Sequence, residues 1–249
     1  MTEKSRGVMD RTYATARTRR AELDFRLRGR AWAAVEASRR FAGRPVRTIL
    51  DLGSADGRTM ALVHGWLDAE RSVGVEASEE LIAAAPPLPE GCSLVLGDLA
   101  GEVPELAGRT FDLVTALALL EHLKEPAKVL DLARRHLAPG GLFVATAPVP
   151  FWDSASGALG LHREDHHEWR VEPRRLRHLG HDAGLDRVID HRFMFVPVAA
   201  LPYLRIPVGH RFASTVDRVV RRLRVLDVLF VNQLFVLRRP GQPRPSSEG

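Results

Sequence analysis

Short apolar runs alternate along the chain with stretches of helical spacing, and most of these runs end in an acid or a small-residue turn. Residues 46–52 are apolar and β-branched in character, as in a buried parallel strand, and 58–67 then place apolar positions at helical intervals. The runs 72–75, 93–96, 111–117 and 142–147 predict four more strands, the last after the turn Ala138-Pro139-Gly140-Gly141. Ser78 followed by Glu79 and Glu80 predicts a helix start with acids at its positive end. Residues 173–185 predict a helix that opens on Pro173 and closes at Gly184, and 188–195 and 228–237 predict a sixth and a seventh strand. Strands alternating with helices predict an α/β architecture, a doubly wound sheet with helices on both faces.

The flanks and connections complete the expected organisation. Residues 16–40 carry Leu23, Phe25, Leu27, Trp32 and Val35 at amphipathic spacing, with Phe41 just beyond, so 1–45 is expected to form an N-terminal helical cap. The main domain is expected over 46–239. Within it, 149–171 is a long polar connection and 196–226 an insertion between the last two strands. The polar, proline-rich tail 240–249 is expected to be disordered.

The loop after the first strand carries the clearest chemistry. Asp51-Leu52-Gly53-Ser54-Ala55-Asp56-Gly57 lies between a strand and a helix, where α/β sheets bind ligands. A dinucleotide fingerprint needs G-x-G-x-x-G, but counting from Gly53 the next two positions are Ala55 and Arg58. Asp51 and Asp56 would also repel a diphosphate, whereas they suit a ligand that brings a cation; S-adenosylmethionine is such a ligand. The second run ends in Glu76, where a carboxylate can accept both hydroxyls of a ribose. The third ends in Gly97-Asp98-Leu99, which places a carboxylate for an exocyclic amine such as that of adenine.

These elements, in this order, resemble the class I S-adenosylmethionine-dependent methyltransferases over residues 47–148. The loop is similar to the family's D-x-G-x-G-x-G, with Ala55 in place of the middle glycine, which narrows the room for the methionine part of the ligand. The resemblance implies a Rossmann-like, mostly parallel seven-stranded sheet whose last strand runs antiparallel. It also implies a cofactor set of Asp51, Leu52, Gly53, Ser54, Ala55 and Gly57 from the loop, with Glu76 and Ala77 at the ribose. Asp98 and Leu99 would meet the adenine, and Ala116 and Leu117 the methionine end.

Methyl transfer to an oxygen benefits from a base, which a histidine or carboxylate can provide. His122 follows the fourth strand at the cofactor end of the sheet, in a Leu120-Glu121-His122 pattern similar to that of ubiquinone-biosynthesis O-methyltransferases; its structural alternative is a helix-start contact. His167 belongs to the cluster 162–168, followed by Trp169 and the helix-starting Pro173, as on the family's substrate connection. No metal site is expected, since the histidines lack a recognised ligand spacing.

Charge and cysteine content narrow the classes. Net charge is +5 with 36 Lys and Arg, yet lysine occurs only at positions 4, 124 and 128, and the basic residues are spread without interleaved aromatics. Nucleic acid is therefore not expected as a partner. One cysteine, Cys92, excludes an intrachain disulfide and fits a reducing cytoplasm, and no run has the length of a membrane span. Residues 212–226 combine Val219, Val220, Leu223 and Val225 with Arg218, Arg221, Arg222 and Arg224. Such a segment suits a lid over an apolar or lipid-linked small-molecule acceptor, peripheral contact with anionic lipid, or simple packing on the domain. Two other function classes compete with a methyltransferase: a noncatalytic nucleotide-binding scaffold and, less compatible with the loop, a nicotinamide-dependent oxidoreductase. Oligomeric state is not specified by the sequence.

Overall fold

The computed structural model describes residues 20–152 and 171–241. The expected histidine cluster 162–168 with His167, Trp169, the first nineteen residues of the N-terminal segment and all but the first two of the tail lie outside the described residues.

Seven strands form one sheet in the order β3-β2-β1-β4-β5-β7-β6. They are β1 (Thr48–Leu52), β2 (Arg71–Glu76), β3 (Cys92–Leu96), β4 (Phe111–Leu117), β5 (Leu137–Pro148), β6 (Asp186–Phe195) and β7 (Phe230–Arg238). β1 to β5 pair in parallel, and β7 runs antiparallel to both β5 and β6. The helices are α1 (Ala21–Phe41), α2 (Arg58–Leu67), α3 (Glu79–Ala83), α4 (Pro126–His136), α5 (Pro173–Asp182), α6 (Val196–Ala200) and α7 (His210–Val220).

Alternation along the strands divides the core into two layers, because successive side chains point to opposite faces. Leu50, Val114, Phe143 and Phe235 join Leu130 of α4 and Leu176 of α5 on one face. Ile49, Leu113, Val144 and Val236 join Trp32 and Val35 of α1, Val63 of α2 and Ala213 of α7 on the other. The described part of the N-terminal segment thus packs along a sheet face as one helix. Trp32, Trp66 and His210 bring α1, α2 and α7 together, with Trp66 and His210 stacked at 4.7 Å between ring centroids.

Several boundaries differ from the pattern reading: β1 begins at Thr48 rather than 46, β6 at Asp186 rather than 188, and α5 ends at Asp182 rather than 185. β5 begins at Leu137, not Leu142, because Leu137 pairs with Phe111 and the residues between form a bulge before Leu142 meets Leu113. Gly140 and Gly141 remain in a ladder there, exchanging backbone hydrogen bonds with Arg239. β7 begins at Phe230, preceded by the 3-10 turn Arg224–Leu229.

The β6 edge holds a half-buried titratable group. Burial, reinforced by the positive charge of Arg221, lowers the pKa of His191 to about 3 from its ordinary value of 6.5. The ring lines a cleft with Arg192, Arg221, Asp227 and Gln233 that includes none of the loop residues after β1. An unfolded chain protonates this histidine near pH 6.5, whereas the folded chain resists protonation down to about pH 3. Its contribution to stability is therefore complete above pH 6.5 and is lost as pH falls through that window. Chemical denaturation across this range is expected to show a slope from this proton of about 1.4 kcal/mol per pH unit, which His191→Gln removes.

Candidate functional site

The site is built around a buried acid. Asp51, 3% exposed at the end of β1, has Oδ2 2.7 Å from Ser54 Oγ and Oδ1 2.6 Å from Thr115 Oγ1. Thr115 is its register partner on β4 and Gly74 its register partner on β2. Gly74 is required for space: a Cβ there would run into Ser54 Oγ and stand 2.6 Å from Leu94. Asp56, also buried, accepts from Arg58 Nε at 2.9 Å. Both loop acids are thus turned into the protein, where they shape the loop.

Over 53–57 the loop backbone is left-handed at every second position, with φ of 70° at Gly53, 50° at Ala55 and 75° at Gly57. Gly57 is the N-cap of α2. Ala55 keeps the conformation that the pattern assigns to glycine, at a cost of about 1 kcal/mol, of the kind that clusters at functional sites. The Leu119 side chain presses on Gly53 from the β4 side, so closely that a Cβ would meet it at 2.6 Å.

Glu76 ties the loop to the next strand tips. Its Oε2 accepts from Ala55 N–H at 2.8 Å, and its Oε1 from Ala77 and Ser78 N–H at 2.9 and 3.0 Å. Its carbonyl accepts from Gly97 N–H at 2.9 Å. Two residues beyond the end of β3, Asp98 Oδ1 accepts from Ala100 N–H at 2.9 Å, and Leu99 is buried in the core. Ala116 is buried and Leu117 half-buried at the end of β4, and Ala118 follows with φ 58°, its N–H held by the carbonyl and hydroxyl of Thr146. His122 is half-buried at the end of the 3-10 turn Leu120–His122, the next element after β4. The described members of the expected set therefore lie on the β1, β2, β3 and β4 tips at one end of the sheet. Among the described residues, no three of His, Cys, Asp or Glu converge as metal ligands.

A family model described as a methyltransferase domain matches residues 17–190. The chain belongs to the class I S-adenosylmethionine-dependent methyltransferases. This methyltransferase is 30% identical over 190 residues to the ubiquinone biosynthesis O-methyltransferase of Pseudomonas syringae pv. tomato, covering 69% of this chain and 75% of that one. To the enzyme of the same name from Cereibacter sphaeroides it is 29% identical over 162 residues, covering 61% and 65%. The chain spans about two thirds or less of the first curated relatives it matches, down to 32% of a transposon-encoded protein of Streptomyces fradiae. In fold it is similar to a SAM-dependent methyltransferase from Archaeoglobus fulgidus, with a TM-score of 0.59, 18% identity and coverage of 92% and 100%.

S-adenosylmethionine is the cofactor of this methyltransferase, and the residues present fit it. A carboxylate offers about four acceptor sites; Glu76 fills three with backbone N–H groups and keeps one for a ribose hydroxyl, and Asp98 fills one with the Ala100 N–H and keeps room for an adenine amine. The missing pyrophosphate glycines and the two buried acids agree with a ligand that carries no diphosphate.

Thr115, Gly74, Leu119 and Thr146 set this geometry and are absent from the pattern reading. Only Gly74, a glycine inside an apolar strand, left a signal in the sequence. Gly74→Ala is expected to lower stability by about 1–3 kcal/mol by forcing Ser54 off Asp51. Differential scanning calorimetry checks the loss, and the same variant bound to S-adenosylmethionine is expected to recover less of its Tm than wild type.

Proposed function

We propose that this methyltransferase transfers the methyl group of S-adenosylmethionine to an oxygen of a small-molecule acceptor by in-line displacement. The observation that carries the reading is the Glu76 carboxylate, fixed by three backbone N–H groups between the loop and the neighbouring strand tips. The ubiquinone biosynthesis O-methyltransferase relatives support oxygen over nitrogen or carbon.

When bound, the cofactor supplies an activated methyl group together with its own leaving group. The task of the chain is then to orient the two reactants and keep water out. Glu76 and Ala77 hold the ribose, Asp98 and Leu99 the adenine, and residues 51–57 with Ala116 and Leu117 the methionine end. Asp51 acts through Ser54 and Thr115, which set the loop. His122 takes the proton of the acceptor hydroxyl, and His167, which lies outside the described residues, is the second candidate for that role. In this reading 46–239 is the catalytic domain, 1–45 its cap and 196–226 the acceptor-side insertion, and the protein works in the cytoplasm on an apolar or lipid-linked acceptor.

Titration calorimetry with S-adenosylmethionine and S-adenosylhomocysteine tests the cofactor site. Wild type is expected to bind in the micromolar range, about −8 kcal/mol, with Gly53→Arg and Asp98→Ala at least about tenfold weaker. Binding of a nicotinamide nucleotide in their place overturns the reading. With an acceptor in hand, His122→Ala is expected to lower kcat by roughly 10²–10⁴-fold at unchanged cofactor affinity. Cofactor binding without turnover on any hydroxyl acceptor would favour a noncatalytic scaffold.

A further inference from the structure

The connection from β6 to β7 leaves apolar surface in water. Of the nine large apolar side chains exposed among the described residues, seven fall between positions 203 and 228: Tyr203, Leu204, Ile206, Phe212, Val219, Leu223 and Val228. Concentration in one connection is what distinguishes a patch from the scattered apolar exposure of any protein surface. Phe212 and Val219, seven apart, share one face of α7, and exposed Leu223 continues it in the turn beyond. Tyr203, Leu204 and Ile206 stand on the turn that leads into the helix.

The same stretch is cationic. Arg205, Arg211, Arg218 and Arg222 are exposed within it, and the single acid of 203–223, Asp217, is buried. Arg218 shares Glu36 with Ser214, and Arg211 lies over the Trp32 ring at 5.1 Å, whereas Arg205 and Arg222 form no salt bridge with any described residue. Across 203–228 the one exposed acid is Asp227, set against those four exposed arginines.

The inner side of α7 is firmly held. Asp217 accepts from Met194 and Phe195 N–H at 2.7 and 2.9 Å, pinning the end of β6, where Met194 is left-handed at φ 68°. His210 stacks on Trp66, and Glu36 of α1 takes Ser214 and Arg218. A rigidly seated helix thus presents an outer surface of apolar side chains beside arginines.

We propose that this surface, 203–228, docks on an anionic lipid bilayer. The apolar side chains enter the headgroup boundary and the arginines meet lipid phosphate oxygens, as on interfacial amphipathic helices. A second copy of this chain fits the surface less well, since a twofold contact would bring two copies of one arginine-bearing patch together. The proposal rests on this surface and not on the methyl-transfer reading.

The test is co-sedimentation of the full chain, without cofactor, with vesicles of phosphatidylcholine alone and of phosphatidylcholine mixed with phosphatidylglycerol, at low and high salt. Binding is expected to the mixed vesicles only, and to weaken with salt. Arg205→Glu with Arg222→Glu is expected to lower partitioning by at least about 25-fold, about fivefold for each arginine. Phe212→Ser with Val219→Ser is expected to lower it at least about tenfold. Both double variants change exposed positions and are expected to melt as wild type does. Absence of sedimentation, equal binding to neutral vesicles, wild-type binding by either variant, or a dimer in light scattering that Phe212→Ser dissolves would each overturn the proposal.

Discussion

A carboxylate buried at the tip of β1 is the constraint around which the site is arranged. An unpaired charge there would cost several kcal/mol, so Asp51 needs hydrogen-bond donors on both oxygens. Thr115 reaches it from β4, fixing the register of the two central strands, and Ser54 reaches back from the loop. Ser54 can do so only because Gly74, on the other flank of Asp51, has no side chain to occupy the same space. One row across β2, β1 and β4 therefore decides where the chain turns from strand into loop.

That turn in its own right determines the placement of Glu76. With Gly53 and Ser54 N–H still bonded to the Val75 carbonyl, the loop stays beside β2 long enough for Ala55 N–H to meet the Glu76 carboxylate. The left-handed backbone of Ala55 is the strain that this contact supports. A carboxylate already oriented by backbone amides needs little reorganisation to accept donors from a ligand, which is the advantage of a preformed site. The switch between β1 and β4, where strand order reverses, puts this group at the crevice of the sheet.

The two faces of the sheet differ in what they carry. Helices α4 and α5 complete an ordinary apolar layer on one. On the other, α1 and α7 lie against the sheet, and α7 is fixed by polar contacts as much as by packing, through Asp217, Glu36 and the stacked His210. Asp217 also holds Met194 in a conformation unfavourable for a side-chain-bearing residue. The arrangement places Asp217 beside the apolar Ala213 and Val216 on the inner side of a helix whose outer side carries exposed Phe212 and Val219.

The strands, the helix after β1 and the order of chemical groups at the strand tips were legible in the sequence, because period-two and helical spacing report burial directly and acids at strand ends stand out from apolar runs. The start of β5 was not, since Pro139-Gly140-Gly141 has the composition of a turn and only its pairing with Arg239 keeps it in the sheet. Likewise, Asp51 and Asp56 were recognisable as functional acids, but composition could not tell that both face inward; that depended on Thr115, Ser54 and Arg58 arriving from other points of the chain. The sequence by itself determined the alternating α/β pattern, the loop and the carboxylates at the strand tips. The tertiary structure alone decided which acids are buried and paired, and which apolar side chains of 203–228 remain in water, because burial is a property of the neighbours a fold assembles and not of a residue's own type.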